Sequence, residues 1–275
     1  SYSALKYAAD GSKQQDMKLF ELYVRGLLRN SSPALSFGSL YDAMLLEPET
    51  VKDTFYVLDD TSIVQQLEGQ YKNPRASKIY KEWKETQDSG GKSQVSEDDW
   101  QMAIDMIKRL DASEVADPVT GEIIPVRSFL KGTPQVEFNT WIEDVPVRGF
   151  YDVLGDGFVT DSKSTRSVSG FRYDVKSFDY DIQAYIYSTV ADVETFYWVA
   201  QGKTRPYLCA VYKASPQIIE SGRNKFWSAV ENINRWLRDP KKDTATIKKV
   251  EAAIKAATEE GKSSKFGGKI PRNLK

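Results

Sequence analysis

The sequence predicts an α/β fold, in which helices flank a mixed central sheet and the N-terminal part of the chain adds a helical layer. Three observations predict it. Apolar residues recur at helical spacing through much of residues 1–115, and the period then shortens toward two between 123 and 165. A helical segment, two strand-like segments and further helices follow. We expect one domain at 1–260, with a core at 116–260, and a basic, flexible tail at 261–275.

The helices of the first half are predicted from their periodicity and their end signals. Ser3 is expected to cap a first short helix, and Pro48 to end the third. In the last helix of this half, Ser96 precedes a first turn rich in acids, and basic residues come near the end. The predicted elements are helices at 13–30, 36–48 and 96–113, and a short strand at 53–60.

The second half is divided by turn signals at 132–135, 143–146 and 155–157. Strands joined by such short turns pair in antiparallel fashion, so the first three strands should form a meander. Pro216 falls near the first position of a long helix, and Gly261 ends the last one. The predicted elements are strands near 135–142, 146–154, 157–162, 194–201 and 206–214, and helices at 178–191, 215–239 and 244–261.

The composition limits the chemistry that the chain can perform. Its 40% hydrophobic and 28% charged residues are typical of a globular protein, and no apolar run approaches the roughly 20 residues that span a bilayer. A single cysteine, Cys209, excludes an internal disulfide and any four-cysteine site, and there is no histidine. Catalysis must therefore use carboxylates, lysine and hard metal ions. The N-terminus lacks a secretory signal pattern, so a cytoplasmic location is expected.

Acidic residues and a lysine fall in the middle of the predicted meander. Asp152 and Asp161 lie on the two strands joined by the turn at 155–157, and Lys163 shares a strand face with Asp161. Glu137 belongs to the neighbouring strand. Three carboxylates on one sheet face repel one another unless a cation holds them, and oxygen ligands of this kind suit Mg²⁺ or Mn²⁺. The alternative is a salt-bridged surface hairpin, and Asp-x-Lys by itself does not distinguish the two.

Lys163 has two roles open to it at such a site. It acts as a base if desolvation or the metal depresses its pKa. Otherwise it stays charged, positions the attacking hydroxide and stabilises the charged transition state. The residues alone do not decide between these roles.

Three segments together resemble a known family. They are "GFYDVLGDGFVTDSKST", "YDIQAYIY" with Gln183 and Tyr187 one helical turn apart, and "GSLYDAMLLEP" at 38–48. They look like the PD-(D/E)XK (restriction-endonuclease-like) nuclease core in its RecB-like branch, and most like the RecE-type exonucleases of phages and prophages. The resemblance covers roughly residues 1–240.

The resemblance implies roles for the matching positions. Asp42 falls where the family has a metal-binding histidine. It is either an oxygen ligand in place of that histidine, or a helix residue without a ligand role, in which case water fills that coordination position. Lys163 would be the catalytic lysine, and Gln183 and Tyr187 would orient water or DNA. The implied ligands of Mg²⁺ or Mn²⁺, two ions in all, are Asp152, Asp161, the carbonyl of Ser162, Glu137 and Asp42. The implied DNA contacts are Arg75, Lys78, Arg148, Ser164, Thr165, Arg166 and Tyr187.

The resemblance also implies an activity: 5′→3′ digestion of one strand from the end of linear duplex DNA, which leaves a 3′ single strand for recombination. It further implies a ring-shaped homo-oligomer, a single-strand annealing partner and a phage or prophage origin in a bacterial cytoplasm. Two alternatives stay open. One is a RecB-like nuclease that cuts single strands or acts as an endonuclease. The other is an inactive module that binds DNA ends.

Overall fold

A computed structural model describes residues 2–28, 33–87 and 90–238, and the single positions 248 and 252. Apart from those two positions, the helix predicted at 244–261 and the tail at 261–275 lie outside the described residues. The chain divides into two compact units, Ser1–Asn30 with Arg109–Lys275, and Ser31–Lys108. No helix in the described ranges combines the length and apolarity that crossing a bilayer requires.

The smaller unit contains a two-stranded parallel sheet and short helices. Phe55 pairs with Ser93 and Leu58 with Ser96 in this sheet. The first of the two strands is the one predicted at 53–60, whereas the sequence pattern did not predict its partner. The elements are α3 (Pro33–Leu46), α4 (Val51–Thr54), β1 (Phe55–Leu58), α5 (Thr61–Leu67), a 3₁₀ turn (Pro74–Ala76), α6 (Lys78–Glu85) and β2 (Ser93–Ser96); α7 (Glu97–Asp111) contains the boundary between the units.

The larger unit is built on a five-stranded mixed sheet of order β5-β6-β7-β8-β9. All neighbours are antiparallel except β7 and β8, which are parallel because two helices cross between them. The meander and the two later strands confirm the predicted α/β class. The elements are α1 (Tyr2–Leu5), α2 (Met17–Val24), β3 (Glu114–Ala116), β4 (Ile123–Pro125), a 3₁₀ turn (Val126–Leu130), β5 (Thr133–Ile142), β6 (Val145–Leu154), β7 (Phe158–Thr165), α8 (Phe171–Ser177), α9 (Tyr180–Ala191), β8 (Thr195–Gly202), β9 (Cys209–Lys213) and α10 (Pro216–Leu237).

Helix ends follow local signals where those signals are strong. Asp16 accepts a hydrogen bond from the backbone N–H of Lys18 at 2.8 Å, so α2 begins at Met17 rather than at residue 13. Helix α10 begins at Pro216 as predicted, and the hydroxyl of Ser215 caps it by accepting a hydrogen bond from Ile218 N–H at 3.3 Å. The prediction for Ser3 is wrong, because this residue lies inside α1.

Helix α9 is the centre of the larger unit. Every residue from 181 to 188 is buried, and the helix packs with Phe196 and Trp198 of β8 and Phe226 of α10 in one apolar cluster. Burying each such apolar side chain contributes about 1.5–3 kcal/mol. Polar side chains on a helix that is buried on all sides need hydrogen-bonding partners. Asp181 and Gln183 are therefore expected to bond to polar groups on the elements packed against α9.

The contact between α9 and α10 requires glycine at position 222. A Cβ atom there would lie 2.0 Å from the backbone oxygen of Asp181 and 3.0 Å from Cβ of Tyr185. No side-chain rotation relieves a collision with backbone, so the helices would have to separate.

We therefore expect Gly222→Ala to lower the free energy of unfolding by about 2–3 kcal/mol, at the upper end of overpacking costs. The loss should occur although alanine favours an isolated helix by about 1 kcal/mol over glycine. Urea unfolding measures it, with the exposed neighbour Asn224→Ala as the control. Equal stability of the two variants would contradict a close approach of α9 and α10.

Candidate active site

The hairpin of β6 and β7 brings Asp152 and Asp161 together. Its ladder pairs Leu154 with Val159 and Val153 with Thr160, so the same count places Asp152 opposite Asp161. At this point the backbone N–H of Ser162 donates a hydrogen bond of 2.8 Å to Oδ2 of Asp152. The Asp152 side chain therefore binds to the neighbouring strand one residue beyond Asp161.

Asp161 is 1% exposed, and its carboxylate has a partner on each oxygen. Nε2 of Gln183, from α9, donates a hydrogen bond of 2.7 Å to Oδ1. Nζ of Lys163 forms an ion pair with Oδ2. Removing a carboxylate from water costs several kcal/mol unless it is paired and hydrogen-bonded, and these two contacts meet that requirement. The structure thus joins the Asp-x-Lys strand to the Gln-x-x-x-Tyr helix.

Lys163 reaches across the end of this cluster. Its Nζ lies 3.4 Å from the carbonyl oxygen of Ser162 and 5.1 Å from the centre of the Tyr180 ring. Burial alone would lower the pKa of Lys163, but the carboxylates of Asp161 and Asp152 outweigh it and raise the pKa well above its ordinary value. In this state Lys163 is therefore an ammonium cation placed among oxygen atoms.

Tyr187 lies one turn beyond Gln183 and is packed among rings. Its ring centre is 5.2 Å from that of Phe138 and 5.4 Å from that of Tyr151, both edge to face. Burial, with a smaller contribution from the charge of Asp161, raises the pKa of Tyr187 to about 12. The phenol therefore keeps its proton at neutral pH. Gly149 leaves room for this packing, because a Cβ atom there would be 2.7 Å from Phe138 and 3.1 Å from the Tyr187 hydroxyl.

The oxygen atoms of this cluster fit a hard divalent cation. Two carboxylates and the carbonyl of Ser162 are oxygen donors, and Mg²⁺ accepts such a set because it keeps several of its own waters. The ammonium of Lys163 already contacts two of these groups, which shows that a positive charge is accommodated there. In the described part of the chain, no group of three or more acidic or cysteine side chains is placed to hold a metal.

The other predicted site residues of the larger unit differ in exposure and in their partners. Glu137 is exposed and opposite Phe150 in the ladder of β5 and β6, and Arg148 is exposed opposite Asn139. Thr165 is buried and donates a hydrogen bond of 2.9 Å to Asp174, so its hydroxyl has a structural partner. Ser164 is half-buried on β7, and Arg166 follows that strand on the surface.

The remaining predicted residues belong to the smaller unit. Asp42 lies on α3. Arg75 donates hydrogen bonds of 2.7 and 3.0 Å to Asp60 and one of 2.7 Å to Asp98, and these carboxylates raise its pKa above the ordinary value. Lys78 is 87% exposed, with Glu82 3.4 Å away. A phosphate contact from Arg75 would thus have to compete with two carboxylates.

Sequence reasoning missed a buried ionic network at the start of α9. Nζ of Lys225, on α10, contacts Asp179 at 2.7 Å and Asp181 at 2.9 Å. Hydroxyls of Ser12 and Ser221 donate to Asp179 and Asp181, at 2.8 and 2.7 Å. The acids were visible in the sequence, but Lys225 is more than 40 residues away and nothing local pairs it with them. The network fixes the end of the helix that carries Gln183.

An aspartate on one strand, an Asp-x-Lys on the next, and a Gln-x-x-x-Tyr helix packed on a mixed sheet form the arrangement of the PD-(D/E)XK class. Residues 1–251 match the family described as "PDDEXK-like domain of unknown function (DUF3799)", and the chain belongs to that family. A crystal structure described as a "putative exonuclease" from Eubacterium rectale is also similar. It shares 15% identity and a TM-score of 0.56, over 86% of this chain and 79% of that one, which supports the predicted fold. No curated protein matches the chain.

Proposed function

We propose that the chain is a divalent-cation-dependent nuclease that hydrolyses phosphodiester bonds in DNA. One observation carries the proposal: Asp152, Asp161, Lys163 and Gln183 meet at one end of a hairpin, in a chain of the PDDEXK-like family. A salt-bridged surface hairpin would leave its acid exposed, whereas Asp161 is buried and joined to a central helix.

Each side chain of the cluster has its own proposed role. Asp152, Asp161 and the carbonyl of Ser162 would hold the cation, and Gln183 keeps the Asp161 carboxylate in one orientation. A bound Mg²⁺ or Mn²⁺ polarises a phosphoryl oxygen and lowers the pKa of its water. Lys163, as an ammonium, places positive charge where the phosphate becomes more negative. This is the positioning role, and it applies while the carboxylates of Asp161 and Asp152 keep the pKa of Lys163 raised.

The second ion proposed from the family resemblance needs further ligands. Glu137 and Asp42 are the predicted ones, and their roles remain predictions. If Glu137 contributes a ligand, Glu137→Gln should reduce the number of Mn²⁺ ions bound per chain, as counted by isothermal titration calorimetry. An unchanged number would exclude it from the site.

The finer activity that we propose is exonucleolytic, 5′→3′ on linear duplex DNA, as in RecE-type enzymes. The motif resemblance supports it, and so does the exonuclease description of the structural relative. Arg148, exposed on β6, and Arg166, exposed directly after β7, are our candidates for phosphate contacts. A ring-shaped oligomer, an annealing partner and a phage or prophage origin belong to the same proposal.

Linear duplex DNA labelled separately at its 5′ and 3′ ends tests the activity. We expect early loss of the 5′ label in Mg²⁺ or Mn²⁺, none in EDTA, and none with Asp152→Asn, whose amide oxygen still accepts the Ser162 N–H bond. Cleavage of circular single strands would instead identify an endonuclease. Binding of DNA ends without release of either label, in both metals, would overturn hydrolysis.

A further inference from the structure

The corner between α8 and α9 is a strained backbone position with several anchors. Asp179 forms it with φ 58° and ψ 36°, the left-handed region that few non-glycine residues adopt. Its side chain is fully buried against Ser12 and Lys225. The hydroxyl of Tyr2 donates a hydrogen bond to the carbonyl of Phe178. Such a conformation persists only where its surroundings over-determine it, and these contacts do so.

Two aromatic rings at this corner connect Lys163 to the surface, the first near Lys163 and the second near the first. The ring of Tyr180 lies 5.1 Å from Nζ of Lys163, and the ring of Phe178 lies 5.7 Å from that of Tyr180. Phe178 is 47% exposed, although the chain around it is tightly held. About half of its side chain is therefore open to solvent, while one ring, that of Tyr180, separates it from Lys163.

We propose that Phe178 is a stacking residue that binds an unpaired nucleobase next to the phosphate cleaved at Lys163. Every nucleobase has a flat π-face, and stacking on an aromatic side chain is the usual means of holding a single strand without reading its sequence. A base inside a duplex is already stacked on both faces. The scissile strand must consequently be unpaired at this nucleotide, either as a single strand or as a frayed end.

Binding without cleavage isolates this contact. Fluorescence anisotropy in EDTA would compare a labelled single-stranded oligonucleotide with one of equal length whose backbone is abasic. Phe178→Ala should bind the normal oligonucleotide about tenfold more weakly than the parent protein, and Phe178→Trp should bind it as tightly. The parent protein and both Phe178 variants should bind the abasic oligonucleotide with equal affinity. Tyr173→Ala is the matched control, because Tyr173 is 62% exposed on α8.

Two results would overturn the inference. One is equal affinity of Phe178→Ala and the parent protein for the normal oligonucleotide. The other is an equal loss on the abasic oligonucleotide, which would show that the variant disturbs phosphate binding and not base stacking.

The inference rests on the proposed nuclease function, and the two fail separately. If the end-labelled duplex is digested but Phe178→Ala binds normally, stacking is wrong and hydrolysis stands. If no label is released in either metal but Phe178→Ala loses affinity only where bases are present, hydrolysis is wrong and base stacking stands.

Discussion

Replacing Lys163 with alanine is expected to slow metal-dependent DNA cleavage by about 10²–10⁴-fold. The ammonium lies beside Asp161 and the Ser162 carbonyl, where no other lysine or arginine contacts these groups in the described residues. Initial rates of nucleotide release in saturating Mg²⁺ measure the effect. Lys176→Ala is the control, because Lys176 is an exposed lysine on the adjoining helix α8.

A second readout separates catalysis from structure. Without Lys163, the Asp161 carboxylate is buried with only Gln183 as its partner, so the variant should unfold at a lower temperature in EDTA. Mn²⁺ should then stabilise the variant more than the parent protein, because no ammonium competes for the carboxylate. A cleavage rate within about threefold of the parent would remove Lys163 from the reaction. Equal Mn²⁺-induced shifts would argue against Asp161 as a ligand.

Replacing Lys225 with methionine should lower the free energy of unfolding by about 3–5 kcal/mol. The variant keeps the apolar stem but leaves Asp179 and Asp181 as two buried carboxylates without their shared cation. Urea unfolding at neutral pH measures the loss. Arg223→Met is the control on the same helix, since its partner Glu220 is 3.7 Å away and both side chains are more than half exposed. Similar losses in the two variants would contradict a buried network.

The same ion pair predicts how the loss depends on pH. Burial alone would lower the pKa of Lys225, but hydrogen bonds to Asp179 and Asp181 raise it above the ordinary 10.5. A raised folded-state pKa contributes stability that is complete below the unfolded pKa and is lost as the pH rises through the folded one. The difference between parent and variant should therefore be the same at about pH 7 and pH 9. A difference that shrinks over that interval would contradict the raised pKa.

The positions of strands β6 and β7 were predictable because their signals are local. The turn at 155–157 fixes which residues of β6 and β7 face each other, and the spacing of Gln183 and Tyr187 fixes one helix face. The role of Glu137 stays a prediction. The regular ladder of β5 and β6 places this residue opposite Phe150, with its side chain exposed.

Features that depend on distant contacts were not predictable. The left-handed Asp179 reads as an ordinary helix residue, because its conformation is stabilised by Ser12 and Lys225, which lie 167 and 46 residues away. The pairing of β2 with β1 also depends on tertiary contacts, since parallel strands have no connecting turn to signal them. Such elements depend on packing between distant residues, which a short stretch of sequence does not reveal.

The contacts that hold the proposed catalytic cluster join residues that are close in the sequence. Asp152 and Ser162 are 10 residues apart, and Asp161 and Gln183 are 22 apart. Residues 31–108, by contrast, form an insertion between two parts of the larger unit. The entropy of closing such a loop rises only logarithmically, by about 0.6 kcal/mol for each doubling of its length. Extra residues in a flexible segment of this insertion would therefore add little closure entropy to the cost of folding.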